Sequence, residues 1–220
     1  MPDWVVQAAK NTSGSPLVHA YAKSLVLAHD GQVKYIKLFD GGMVDNYGLS
    51  GITIVRAAAR TPYGPLQPQE AVNLRRLVFL VVDAGRGPQG DWSQTVEGPA
   101  GKELVGAVFD AIIDANSHSS YAAFAATLKN WRDAIVRWRC SLKPAEVARL
   151  RGHGGRWNCR DLKMTVGRVA FDALDPARAK QLNQVPTSFT LPAKTVDELA
   201  QAGGDALQAN PEFQAFLRGK

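Results

Sequence analysis

No stretch of this 220-residue sequence holds the roughly 18 consecutive apolar residues that a membrane-crossing helix requires. Nor does Met1-Pro2-Asp3-Trp4 open with the basic and then apolar pattern of a secretory signal, an absence that says little if the chain belongs to a longer protein. Cysteine is scarce. Cys140 and Cys159 are the only two, their spacing fits no metal motif, and no histidine cluster accompanies them. A disulfide implying an oxidising compartment and two separate thiols are both compatible with that spacing, so the compartment stays open. His19, His29, His118 and His153 show neither H-x-x-x-H nor H-E-x-x-H spacing, so no metal is expected. There is no internal repeat, no zinc-finger spacing and no RNA-binding aromatic motif, so nucleic acid is not an expected partner. No serine has glycine two residues away on both sides; Gly48-Leu49-Ser50-Gly51 has the wrong spacing for a nucleophile elbow.

What is present is an ordinary globular composition, 45% apolar and 21% charged, with a formal charge of +6. The length fits one domain spanning residues 1–220. The basic surplus is densest over 129–139 and 149–160, and reads as a solvated surface or as one suited to an anionic membrane. Strand and helix signals alternate. Val33–Phe39 reads as a strand ending at Asp40, and 49–60 as a helix with Ile52, Val55, Ala58 and Ala59 on one face. The Thr61-Pro62-Tyr63-Gly64-Pro65 run stops that helix. Leu77–Val82 is a continuous apolar run, the pattern of a parallel strand buried on both faces, and it ends in Asp83-Ala84-Gly85. Residues 86–99 read as a loop, and about 101–139 as a long helical region interrupted near Asn116–Ser119. A short helix from Pro144 to Leu150 and an alternating strand over Leu162–Phe171 follow. Thr195 and Glu198 suggest a capping box over Val196–Leu207, and Asn210-Pro211 starts a last short helix. The order implies an α/β fold with about three strands, fewer than a typical sheet.

The stretch Phe39-Asp40-Gly41-Gly42-Met43-Val44-Asp45-Asn46-Tyr47-Gly48 carries the chemistry. One reading is a hairpin turn, because Asp-Gly is a strong hairpin signal. The other is a strand–loop–helix site that holds a carboxylate at the rim of a sheet, where two glycines let a substrate come close. Asp45 and Asn46 can fix such a loop through their short polar side chains, or act as simple turn residues. Asp83-Ala84-Gly85-Arg86-Gly87 lacks the third glycine of a dinucleotide fingerprint and reads as a turn. Phe124, Leu128, Trp131, Ile135 and Trp138 form one helical stripe. It reads as core, or alternatively as a headgroup contact through Trp131 and Trp138 flanked by arginine and lysine. Asn11-Thr12-Ser13 fits a glycosylation acceptor.

The F-D-G-G-x-x-D-N-x-G run, followed by a helix and a buried strand, resembles the second half of a patatin-like phospholipase domain. The run from Asn183 to Pro192 and the segment from Val196 to Phe213 are similar to the end of bacterial members. The resemblance implies a three-layer α/β/α fold with an incomplete central sheet, the chain being the carboxyl-terminal part of the domain. It implies cleavage of lipid or small acyl esters by a Ser-Asp dyad without cofactor, and a peripheral membrane or cell-envelope setting. Carried over by position, Asp40 is the general base, with Gly41 and Gly42 its motif partners. The nucleophile and the glycine-rich oxyanion loop are expected in an upstream half not in this sequence, so the chain alone is expected to be inactive. The alternatives are a catalytically silent lipid-binding or regulatory module and one half of a split enzyme.

Overall fold

The computed structural model describes residues 1–31, 33–35, 41–85, 96–152 and 156–219, which divide into two compact units. The first comprises Met1–Gly41, Gly48–Asn73 and Asn130–Arg160; the second comprises Gly42–Tyr47, Leu74–Lys129 and Asp161–Lys220. Helix and strand are mixed, as the alternating sequence pattern requires, with helix predominating.

The first unit is helical. α1 (Asp3–Lys10) packs on α2 (Pro16–His29), and α2 on α4 (Ser50–Ala58). α2 starts where Ser15 supplies a side-chain cap and Pro16 a preset φ. The α4 helix falls inside the expected 49–60, although Val55 on its expected apolar face is 49% exposed. The turn after it is tied by Arg56, whose Nη1 donates to the carbonyls of Thr61 at 2.9 Å and Gly64 at 3.1 Å. α5 (Pro68–Asn73) packs on α7 (Pro144–Arg151). Cys140 and Cys159 are joined in a disulfide, which resolves the alternative the spacing left open. Next to it Arg139 is fully buried, donating to the Asn158 carbonyl at 3.1 Å and lying over the Trp157 ring.

The second unit is built on two parallel strands, β1 (Arg76–Asp83) and β2 (Lys163–Ala170), in register from Arg76 opposite Lys163 to Asp83 opposite Ala170. Leu162 is buried, Lys163 and Thr165 are exposed and Met164 and Val166 are half-buried, the alternation of a strand with one wet face. β1 departs from the expected burial on both faces: Val81 is 5% exposed but Val82 is 74% exposed. Among the described residues β2 is the only strand that pairs with β1, so half of its backbone edge and part of one face lack a covering layer. The expected first strand is not seen over Val33–Tyr35, which are irregular, and 36–39 lie outside the described residues.

α6 runs unbroken from Lys102 to Ser141, through the Asn116–Ser119 stretch where an interruption was expected. Such polar side chains weaken helices by competing for the backbone. Here they are occupied elsewhere: Asn116 donates to the Met43 carbonyl at 2.7 Å, and the Ser117 hydroxyl accepts from Asn46 at 3.2 Å. Farther along, Phe124 meets Phe79 of β1 edge to face at 5.1 Å.

After β2 come a 3₁₀ turn (Phe171–Ala173), α8 (Pro176–Asn183), α9 (Ala193–Ala209) and α10 (Pro211–Leu217). α9 begins at Ala193 behind Pro192 with no side-chain cap, so the expected Thr195–Glu198 capping box is absent and Thr195 sits inside the first turn. Asn210 does cap α10, accepting from Phe213 N–H at 2.9 Å while donating to the Arg168 carbonyl at 3.0 Å. Gly167 makes that approach possible, since a Cβ there would meet Asn210 Oδ1 at 2.9 Å.

Candidate active site at the carboxyl end of β1

Asp40, the expected base, and Ile36–Phe39 before it lie outside the described residues. Description resumes at Gly41, which is exposed, and Gly42 opens a single helical turn, α3 (Gly42–Asp45). The chain after the two glycines is therefore helical, and the hairpin reading lacks its second arm. Asp45 is half-buried. Asn46 and Tyr47 form a turn that closes at Gly48 with φ 66°, a left-handed conformation natural to glycine.

Three side-chain bonds pin this stretch within the second unit. Asn116 reaches the Met43 carbonyl, Asn46 reaches Ser117, and the Tyr47 hydroxyl donates to Asp83 Oδ2 at 2.7 Å. Asp83 is the last residue of β1 and the centre of the cluster. It also accepts from Arg168 Nη1 at 2.6 Å and from the Gly85 N–H at 2.9 Å. Arg168, projecting from β2, pairs in addition with Asp172. Tyr121 of α6 lies edge-on to Tyr47 and donates to the Val166 carbonyl at 3.1 Å.

The electrostatics make Asp83 an anchor. Burial pushes its carboxyl up, but the Tyr47 hydroxyl, the Gly85 N–H and the Arg168 guanidinium together hold it below the ordinary value of 3.8. A general base works best near the operating pH, and a carboxylate saturated with donors does not. Burial first, and then the hydrogen bond and charge of Asp83, push the Tyr47 phenol up to about 12, so it stays protonated and donating. Arg168 is lowered by burial and raised further by Asp83 and Asp172, leaving it firmly cationic. The cluster ties Tyr47 to the ends of β1 and β2 within the second unit.

Sequence reasoning singled out Gly41, Gly42, Asp45 and Asn46 but passed over Tyr47, Asp83 and Arg168. The Asp83-Ala84-Gly85 turn was visible, as was an arginine at position 168 between apolar neighbours. Their pairing across 85 residues left no local signal. The other expected contact residues fall differently. Trp131 is 4% exposed, its Nε1 donating to the Tyr63 carbonyl at 3.3 Å, so it is the core side chain of the first reading and the alternative headgroup contact is corrected for it. Trp138 is half-buried and packs its ring on Tyr63 at 4.4 Å.

Among the described residues no group of three or more His, Cys, Asp or Glu side chains is arranged to hold a metal ion. Among the same residues no helix is long and apolar enough to cross a membrane.

No family model, curated protein or solved structure matches this chain.

Proposed function

We propose that the chain is the carboxyl-terminal part of a three-layer α/β/α patatin-like domain that hydrolyses lipid or small acyl esters, with Asp40 as its general base. One observation carries this reading: the Asp40-Gly41-Gly42 sequence runs directly into a stretch, Gly42–Tyr47, that is tied by three side-chain bonds to the carboxyl end of a parallel strand and to α6. The carboxyl rim of a parallel sheet is where α/β enzymes assemble their sites. A base needs a loop that holds its place, and the proposal gives that task to the residues that follow Asp40 in sequence.

In the proposed reaction a serine hydroxyl, contributed by upstream polypeptide, attacks the ester carbonyl and gives its proton to Asp40. The protonated carboxyl then passes the proton to the departing alcohol. Asp40 next takes a proton from the water that attacks the acyl-serine, and the freed serine oxygen recovers it as the acid leaves. No cofactor enters the sequence. The membrane surface is a natural place for such a substrate.

The coding region upstream of Met1 tests the reading, together with a fluorophosphonate probe. The expected result is a G-x-S-x-G in the same frame, no labelling of the 220-residue chain, and labelling of one serine in the longer product. Stoichiometric labelling of a serine within residues 1–220 would overturn the base-only role, and absence of any upstream serine motif would leave a module without catalysis.

A further inference from the structure

The first unit holds fourteen Lys and Arg against six Asp and Glu, a net +8, while the second holds twelve against fourteen, a net −2. Part of that surplus converges. A shallow, open pocket of about 580 Å³ between the end of α4, the turn after it and the last turns of α6 is lined by Arg56, Arg60, Thr61, Arg137, Trp138 and Ser141. No carboxylate is among its lining residues. Asp133, one turn before Arg137 on α6, is engaged by Arg132 at 2.7 Å. Arg60 and Arg137 are exposed and form no ion pair among the described residues. Three guanidinium groups facing one depression without a counter-charge repel one another, and an anion in that depression relieves the repulsion.

The geometry points to a phosphate-binding site formed by Arg56, Arg60 and Arg137. Two features make it more than a basic surface. Arg56 is held in place because its Nη1 is committed to the Thr61 and Gly64 carbonyls, which leaves the rest of a fixed guanidinium facing the pocket. Trp138 packs against Tyr63 with its ring tilted by 50° and gives the pocket one apolar wall. Arg60 and Arg137, at the exposed margin, are free to close on the ligand. Planar guanidinium forks match the oxygens of a phosphate, and a monoester presents the most charge to three of them. The ligand class is therefore a phosphate monoester beside an apolar group, whether free in solution or as a lipid headgroup. This inference stands apart from the hydrolase reading, because it concerns binding by the first unit alone.

The test uses the whole 220-residue chain and two probes: inorganic phosphate, followed by tryptophan fluorescence, and vesicles of phosphatidylcholine with or without phosphatidic acid. Arg60→Glu with Arg137→Glu is compared with Arg149→Glu plus Arg156→Glu, the same charge change at exposed arginines outside the pocket. Surface changes of this kind leave stability nearly unaltered; Arg60→Gln with Arg137→Gln serves if the reversed charges disturb folding. The expected result is saturable binding of at least one probe, weakened about tenfold or more per pocket arginine and less than about threefold by the control pair. Pocket-dependent binding of phosphate identifies a soluble ligand, and pocket-dependent binding of phosphatidic acid vesicles alone identifies a headgroup. Equal weakening by both pairs, or no saturable binding of either probe, would overturn the proposal.

Discussion

The first unit fastens its last segment with a disulfide, a fully buried arginine and a tilted tryptophan–tyrosine contact, whereas the second fastens its Gly42–Tyr47 loop with hydrogen bonds among Tyr47, Asp83 and Arg168. One bond of the first set is covalent. The second is a charge network whose strength depends on two protonation states. The two units therefore differ in what ought to break them: reductant for one, pH for the other. They differ in surface too, one strongly basic and the other slightly acidic.

Removing the disulfide is the larger perturbation. Cys140→Ser with Cys159→Ser opens a loop with a sequence separation of 19. The chain-entropy account puts the loss at roughly 3 kcal/mol. Hydrogen exchange should show it as faster opening over Asn130–Arg160, with β1 and β2 protected as before. Equal loss of protection in both units would erase the contrast.

Asp83→Asn is the next in size. It takes from Arg168 the more buried of its two carboxylate partners, leaving Asp172, and should cost about 2 kcal/mol, read as faster exchange in β1 and β2. The pH dependence sharpens the point. Asp83 has a lowered folded-state pKa, so its contribution is present above 3.8 and is lost as pH falls through that lower value. Tyr47 has a raised one, so its contribution is present below 10.0 and is lost as pH rises through about 12. Protection of the second unit should hold between those limits and fall outside them. Asp83→Asn removes the acid limb and Tyr47→Phe the alkaline limb, while the first unit shows neither through these residues.

Local signals were the readable part of this sequence. α4, α7, β1, β2 and α10 all lie close to where periodicity, apolar runs and the Asn210-Pro211 start place them, because each is specified by residues within itself. α1 and α2 are less evident: Trp4, Tyr21 and Leu25 are apolar yet exposed, which blurs any single buried face. The capping-box expectation at Thr195 failed because α9 starts at Ala193, two residues before it, with Pro192 at the N-cap, so Thr195 lies within the first turn and not at its cap. The continuity of α6 and the Asp83 cluster were out of reach for another reason. Both depend on partners far away in sequence: Asn46 and Met43 for the helix, Tyr47 and Arg168 for the carboxylate. The Asp-Gly-Gly run was visible at once, but the bonds that hold the stretch after it were not.

The role proposed for Asp40 is tested most directly by phospholipid hydrolysis with the upstream-extended protein that the proposal requires, comparing Asp40→Asn with the parent after both are shown to fold alike. Loss of a positioned general base should lower kcat by about a thousandfold while KM changes little. A variant that keeps kcat within a few-fold of the parent would contradict the assignment.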